Sequence, residues 1–212
     1  MVSMIFVMIV ISEASVERVA EVLNEEATLT NPENAVTTIE TGDIEFKNVQ
    51  FKYNILSEEA DLRDINLKIH SGETIGIIGG TGSGKSSLIQ LIPRLYDVTE
   101  GEVYVSGRNV KEYDLVTLRD QIAMVLQKNT LFSGTISENL RWGDKNASDE
   151  EVKRVAKLAQ ADDFVQSFPE GYETQLDQGG TNVSGGQKQR LTIARALLKK
   201  PKILILDDST SA

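Results

Sequence analysis

Between Thr74 and Leu91 the chain reads TIGIIGGTGSGKSSLIQL: an apolar run, a glycine-rich loop, a lysine, two serines and a new apolar pattern. Gly79, Gly84, Lys85 and Ser86 occupy the four fixed places of the phosphate-loop template G-x-x-x-x-G-K-[ST]. That template carries weight only between a strand and a helix, and both are expected here. Ile75–Ile78 predicts a buried strand, and Leu88, Leu91, Ile92 and Leu95, spaced by threes and fours, predict a helix over Ser86–Leu95. Gly79, Gly80, Gly82 and Gly84 let the backbone turn tightly and leave its amides bare, so the loop and the helix start form a cradle for an anion. Lys85 adds a point charge suited to β and γ phosphates, and the Ser86 hydroxyl is placed to hold Mg²⁺. A flexible glycine turn is the plainer alternative, and the flanking pattern weighs against it.

Bulk properties set the limits. A chain of 212 residues with 40% hydrophobic content can bury a core and form one or two domains. A net charge of -10 argues against a broad nucleic-acid surface, which needs clustered positive charge to displace counterions; Lys188–Lys202 is the locally basic stretch. The absence of cysteine excludes disulfides, thiol catalysis and cysteine-ligated metal, and fits a reducing cytosol. Met1–Ile11, MVSMIFVMIVI, is apolar but shorter than the roughly 20 residues a membrane span needs, and it lacks the basic start of a signal peptide. It reads either as the buried end of a soluble helix or as the last turns of a membrane helix.

Along the chain, Val16, Val19, Ala20 and Leu23 predict an amphipathic helix over Glu13–Leu23. Asn24–Gly42 is polar, contains Pro32 and reads as a linker. From Asp43 the alternation in IEFKNVQFKY, and again in INLKI at Ile65–Ile69, predicts a small antiparallel sheet. Gly101–Val105 and Ile122–Leu126 are further strand candidates, the latter running into Gln127. Thr135–Leu140, Asp149–Ala161 and Asp163–Phe168 predict an inserted helical subdomain, with Ser148 as an N-cap. Tyr53 by itself reads as sheet packing, and His70, the only histidine, as a solvated turn residue.

Two later stretches carry chemistry. Ser184-Gly185-Gly186 opens a helix whose Leu191, Ala194, Leu197 and Leu198 share one side, so it is either a second anion-binding helix start or a plain N-cap with a glycine turn. Ile203–Leu206 reads as a buried parallel strand ending in Asp207-Asp208. Two adjacent carboxylates are costly unless used: one of them can hold Mg²⁺ beside Ser86 while the other faces a water, the alternative being a helix cap made by Asp208.

Taken together, Tyr53, GGTGSGKSS, Gln127, VSGGQ at 183–187 and ILILDD at 203–208 resemble the nucleotide-binding domain of ATP-binding cassette transporters of exporter type, over about Gly42–Ala212. The resemblance implies an α/β fold: a P-loop NTPase with an incomplete RecA-like core, a small antiparallel β subdomain and an inserted helical subdomain. It implies ATP and Mg²⁺ as ligands. Tyr53 would stack on adenine, and Gly79, Gly80, Thr81, Gly82, Ser83, Gly84, Lys85, Ser86 and Ser87 would wrap the phosphates. Ser86, Gln127 and Asp207 would hold the metal, and Asp208, Gln127 and Lys85 would serve catalysis. Ser184, Gly185, Gly186 and Gln187 would contact the γ-phosphate bound by a second nucleotide-binding domain, so that each site is shared.

The same resemblance makes LFSGTISENL at 131–140 a surface for the transmembrane domain, residues 1–41 the end of the last membrane helix plus a linker, and residues 42–212 a cassette ending inside the D-loop. It places the chain at the cytoplasmic face of the cell membrane with no nucleic-acid partner. Asp208 departs from the family pattern, which has glutamate there, and Gln178 also stands where exporters often have glutamate. Both resemble the weakened half of heterodimeric exporters. Two functions are therefore expected: an ATP-hydrolysing motor domain of an exporter, or a catalytically weak regulatory half whose signature completes a partner's site. Chromosome ATPases with a coiled-coil insertion and soluble translation cassettes fit less well: no heptad run separates the halves, and the apolar start and LFSGTISENL point to a membrane partner.

Overall fold

A computed structural model describes residues 2–207. Contacts divide the chain into two units, one up to Thr30 and one from Asn31 onward. The first is dominated by helix α1, Val2–Leu23, a single run of 22 residues that joins the apolar start to the amphipathic pattern without a break. Met4, Ile5, Val7, Met8, Val10 and Ile11 are all at least half exposed, so the expectation of a buried soluble helix end is not met. No helix among the described residues is long and apolar enough to cross a membrane.

The second unit begins with the polar stretch expected to be a linker, but Asn31 onward is fastened down. Asn31 Oδ1 accepts from the Leu115 amide at 2.9 Å, and Val36 exchanges backbone hydrogen bonds with Glu112 and Asp114. Strands β1 (Ile44–Phe51), β2 (Leu62–Ile69), β3 (Glu100–Val105) and β4 (Arg108–Asn109) form an antiparallel sheet in the order β2-β1-β3-β4. Alternation holds on either side of an irregularity: Ile44 and Phe46, and then, past a register shift at Lys47 and Asn48, Val49 and Phe51 are buried in one core with Val103 and Val105. Helix α2 (Lys85–Leu91) sends Ile89 and Leu91 into the same core.

α2 is shorter than the expected Ser86–Leu95. Pro93 has no N–H for a further helical bond, and Arg94 adopts a left-handed φ of 50°, so the chain turns away after Ile92. Arg94 is then held by a 2.8 Å ion pair from its Nε to Asp97 Oδ1.

Helix α3 (Leu115–Asp120), capped by Asp114, leads into β5 (Ile122–Val125). The short β6 (Gly134–Thr135) opens the helical region: α4 (Ile136–Arg141), α5 (Asp149–Leu158) and α6 (Asp162–Ser167), followed by β7 (Gln175–Leu176), which pairs with β6. Ser148 caps α5 as expected and does so within a capping box, its hydroxyl accepting from the Glu151 amide while the Glu151 carboxylate accepts from the Ser148 amide. The long helix α7 (Gly185–Leu198) joins two cores. Leu191, Ala194 and Leu198 pack with Leu140, Val155 and Val165 of the helical region, while Ala196 packs on Ala123 and Val125 of β5. Truncating Leu191, which is fully buried, would cost about 2–5 kcal/mol.

Strand β8 (Ile203–Leu206) pairs in parallel with β5 in register Ile122 to Ile203 through Val125 to Leu206. Two expectations need correction here. β8 is not buried on both faces: Ile203 and Ile205 face the core, whereas Leu204 and Leu206 are 39% and 48% exposed. Ile75–Ile78 is not a buried strand either; residues 73–80 pair with no strand, and Ile78 is 99% exposed. The reason is geometric. A cavity of about 240 Å³ lies among Ile75, Ile77, Ile203, Leu204, Ile205 and Leu206, and among the described residues no strand pairs with 75–78.

Candidate functional site

The parallel pairing of β5 and β8 brings two distant segments to one end of the sheet. The Asp207 amide donates to Val125 O at 2.9 Å, continuing the ladder one step past β8, and Gln127 lies two residues beyond the end of β5. Polar residues at the carboxyl ends of parallel strands commonly line ligand sites. The phosphate loop meets them there. Ser86 Oγ donates to Asp207 Oδ2 at 2.8 Å, across 121 positions of sequence. Residues 81–87 and Gln127 line a cleft of about 590 Å³, which Ser57, Glu59, Ala60 and Asp61 close on another side.

Gly84 sets the shape of the loop. Its φ of 83° is left-handed, and a Cβ there would sit 2.6 Å from Leu62 Cδ2 and 3.2 Å from Asp61 O, so any other residue would meet both strain and a clash. No side chain caps the helix start that follows, which leaves the first α2 amides available to a ligand. Lys85 Nζ donates to the Gly79 and Gly80 carbonyls at 2.7 and 3.0 Å, folding the cation back over its own loop.

The oxygen donors suit a small hard cation. Ser86 hydrogen-bonds Asp207, and Ser86 and Gln127 line the cleft. Among the described residues no group of three or more His, Asp or Glu side chains clusters.

Tyr53, just past β1, packs as its position at the end of the strand predicts. Its ring packs edge-on with Phe51 and Tyr96, at centroid distances of 4.7 and 5.1 Å, yet the residue remains 52% exposed. Its hydroxyl lies 3.1 Å from both Ser87 Oγ and Gln90 Oε1.

Not every candidate converges on the cleft. Tyr53, Gly79, Gly80 and Asp207 do not line it, although Tyr53 reaches Ser87 and Asp207 reaches Ser86 by hydrogen bonds, and Ser184–Gln187 is absent with no such link. Ser184 instead caps α7 in a closed box: its hydroxyl accepts from the Gln187 amide at 3.3 Å, and its own amide donates to Gln187 Oε1 at 2.9 Å. Asp208 lies outside the described residues. His70 is an exposed turn residue as expected, with Nδ1 3.8 Å from Asp43 Oδ1. Glu59 lines the cleft, and Gln90 and Tyr96 contact Tyr53, without having been singled out from the sequence. Gln90 was detectable in principle, since it stands three positions after Ser87 and shares its helix face.

Comparison with known proteins supplies the family. Residues 62–211 match the family model described as ABC transporter. The chain is 47% identical over 202 residues to the putative multidrug export ATP-binding/permease protein YgaD of Bacillus subtilis (strain 168), covering 95% of this chain and 35% of that protein. It is 51% identical over 174 residues to the putative multidrug export ATP-binding/permease protein SAB1799c of Staphylococcus aureus (strain bovine RF122 / ET3-1), covering 82% of this chain and 30% of that one. A solved structure of a bacterial Atm1-family ABC exporter with ATP bound superposes on 100% of this chain and 37% of its own, with a TM-score of 0.89 at 30% identity. The chain thus spans about a third of the length of the relatives it matches. With an α/β phosphate-loop fold, an antiparallel β subdomain, a helical insertion and a family match across most of its length, the chain belongs to the ABC transporter family.

Proposed function

We propose that residues 42–212 form the ATP-binding and ATP-hydrolysing domain of an ABC exporter, and that residues 1–41 are the cytoplasmic end of its last transmembrane helix with a linker. The observation that carries this reading is the Ser86–Asp207 hydrogen bond beside an uncapped helix start, which joins a phosphate cradle to a metal-holding pair. In this scheme residues 79–87 wrap the phosphates, and Lys85 leaves the Gly79 and Gly80 carbonyls to meet the β and γ oxygens. Ser86, Asp207 and Gln127 hold Mg²⁺, which when bound supplies positive charge to the phosphate oxygens. Gln127 and Asp208 orient and polarise the attacking water, and Tyr53 stacks on the base.

The separation of Ser184–Gln187 from the cleft supports a shared site, in which this signature contacts the γ-phosphate held by a second nucleotide-binding domain. Closure of the two domains at the cytoplasmic face of the membrane, transmitted through residues 131–140 to the transmembrane domain, would drive export. Nucleotide binding is tested by calorimetric titration of Mg-ATP: Lys85→Ala abolishes the binding heat while leaving the unfolding temperature in place. Retained affinity would overturn the assignment.

Asp208 favours a second reading, a heterodimeric partner that holds ATP and turns it over slowly. Aspartate is one methylene shorter than the family's glutamate, and a displacement of about 1 Å can cost on the order of 100-fold in rate. In the full assembly, Asp208→Glu then raises turnover at this site by up to about 100-fold. An unchanged single-site rate excludes the reading.

A further inference from the structure

The nucleobase platform is tied to the helix that holds the phosphates. Three constraints act on Tyr53. Its amide donates to Asp61 Oδ2 at 2.9 Å, fixing the backbone against the far side of the β1–β2 connection. Two aromatic rings, Phe51 and Tyr96, meet it at interplanar angles of 78° and 89°, which fixes the tilt of the ring. The third constraint is the phenol oxygen, 3.1 Å from Gln90 Oε1 and 3.1 Å from Ser87 Oγ.

The donor count suits that pair. A phenol has one O–H to donate and lone pairs to accept, so it donates to the Gln90 carbonyl oxygen while accepting from the Ser87 hydroxyl. A tyrosine side chain has only two soft torsions, and these contacts restrain both. Half of the residue nevertheless remains open to solvent.

Gln90 and Ser87 belong to α2, the same short helix whose first residues are Lys85 and Ser86. From Lys85 to Gln90 the helix advances about 7.5 Å, at 1.5 Å per residue. The platform and the phosphate contacts are therefore registered on one rigid element, although Tyr53 belongs to the β subdomain.

We propose that Gln90, supported by Ser87 and Tyr96, is a positioning residue that holds the Tyr53 ring at a set distance and tilt from the phosphate loop, so that it accepts the base of a nucleoside triphosphate whose phosphates are already in the cradle. This rests on the nucleotide-binding reading. Its physical content is preorganisation: a ring restrained beforehand loses less freedom when a base stacks on it. Gln90 touches the platform and does not line the phosphate-loop cleft, so its effect is expected only with ligands that carry a base.

The experiment compares Mg-ATP with Mg-tripolyphosphate, titrated into the full chain and its variants. Removing a stacking side chain typically costs on the order of 10-fold or more per base, and losing its support alone is expected to cost about 5-fold. Gln90→Ala therefore weakens ATP about 5-fold and leaves tripolyphosphate within about 2-fold, and Gln90→Glu, which keeps an acceptor oxygen, restores ATP. Tyr53→Phe, which keeps the ring and its packing, reproduces the loss, and adding Gln90→Ala to it costs nothing more.

Equal weakening of both ligands by Gln90→Ala, or additive losses in the double variant, would overturn the proposal and leave Gln90 a support of α2 alone. Unchanged ATP affinity in Gln90→Ala would overturn it too. A wild-type chain that binds tripolyphosphate and ATP equally has no base platform and overturns it as well. A wild-type chain that binds neither overturns the nucleotide reading itself along with the proposal.

Discussion

Two glycine-led helix starts in this chain look alike on paper and differ in one physical respect. α2 begins after GGTGSG, and α7 begins after a serine with two glycines. At α2 no side chain satisfies the first amides, and Gly84 is locked in a left-handed conformation against Leu62 and Asp61. At α7 the Ser184 and Gln187 side chains close on the helix end themselves, and a Cβ on Gly185 would meet nothing within 4 Å. The first start is open toward a ligand and sterically inflexible; the second is self-satisfied and sterically relaxed. A binding surface thus depends less on glycine content than on whether local side chains have already taken the amides.

The sharpest way to break that comparison is a matched pair of substitutions. Gly84→Ala is expected to lower stability by about 2 kcal/mol through left-handed strain and the Leu62 clash, and to reduce Mg-ATP affinity at least about 10-fold. Gly185→Ala is expected to be neutral or to raise stability by about 0.5 kcal/mol, because a relaxed helical glycine gives up unfolded-state freedom. Denaturant unfolding reads both, and similar losses at the two positions would erase the distinction.

A smaller effect separates cap from ligand contact. Ser184→Ala removes the cap and is expected to cost about 1 kcal/mol of stability without altering ATP affinity at this chain's own phosphate loop. A fall in that affinity would mean that Ser184 reaches its own cleft and that the site is not shared.

The smallest effect concerns another capped start, α5. The Glu151 carboxyl is held below the ordinary carboxylate range, first by the Lys200 hydrogen bond and then by the Ser148 amide. A depressed carboxyl contributes stability above its unfolded value and loses it as pH falls through the folded one. Thermal melts should therefore show a loss on acidification below the usual glutamate range. Lys200→Met should shrink it, whereas an unchanged acid limb would show that the pair contributes nothing.

Much of this was legible in the sequence because it depends on neighbours. The cap at Ser148 needs only Glu151 three positions on, and the strand pairs around Phe46 and Leu67 need only alternation. The phosphate loop and Asp207 were also legible, because their residue types are restrictive. What failed depends on partners far away. Apolar runs such as Ile75–Ile78 and Ile203–Leu206 state a preference for burial but not what covers them, so strand formation at the first and two-sided burial at the second could not be read locally. The early end of α2 was written in Pro93 but masked by the apolar spacing that continues to Leu95. At Ser184 the plain N-cap describes the single chain, and a ligand role needs a second chain to become visible.

The folded-back lysine has a bearing on selectivity inside a cell crowded with small anions. An empty loop with a naked cation would act as a weak ion exchanger, occupied by chloride, bicarbonate or orthophosphate. Here two carbonyls already solvate Lys85, so an incoming anion must replace them as well as shed its own water. A monovalent ion offers too few contacts to make that trade favourable. A polyphosphate chain that reached the lysine and the α2 amides at once would offer enough contacts to do so.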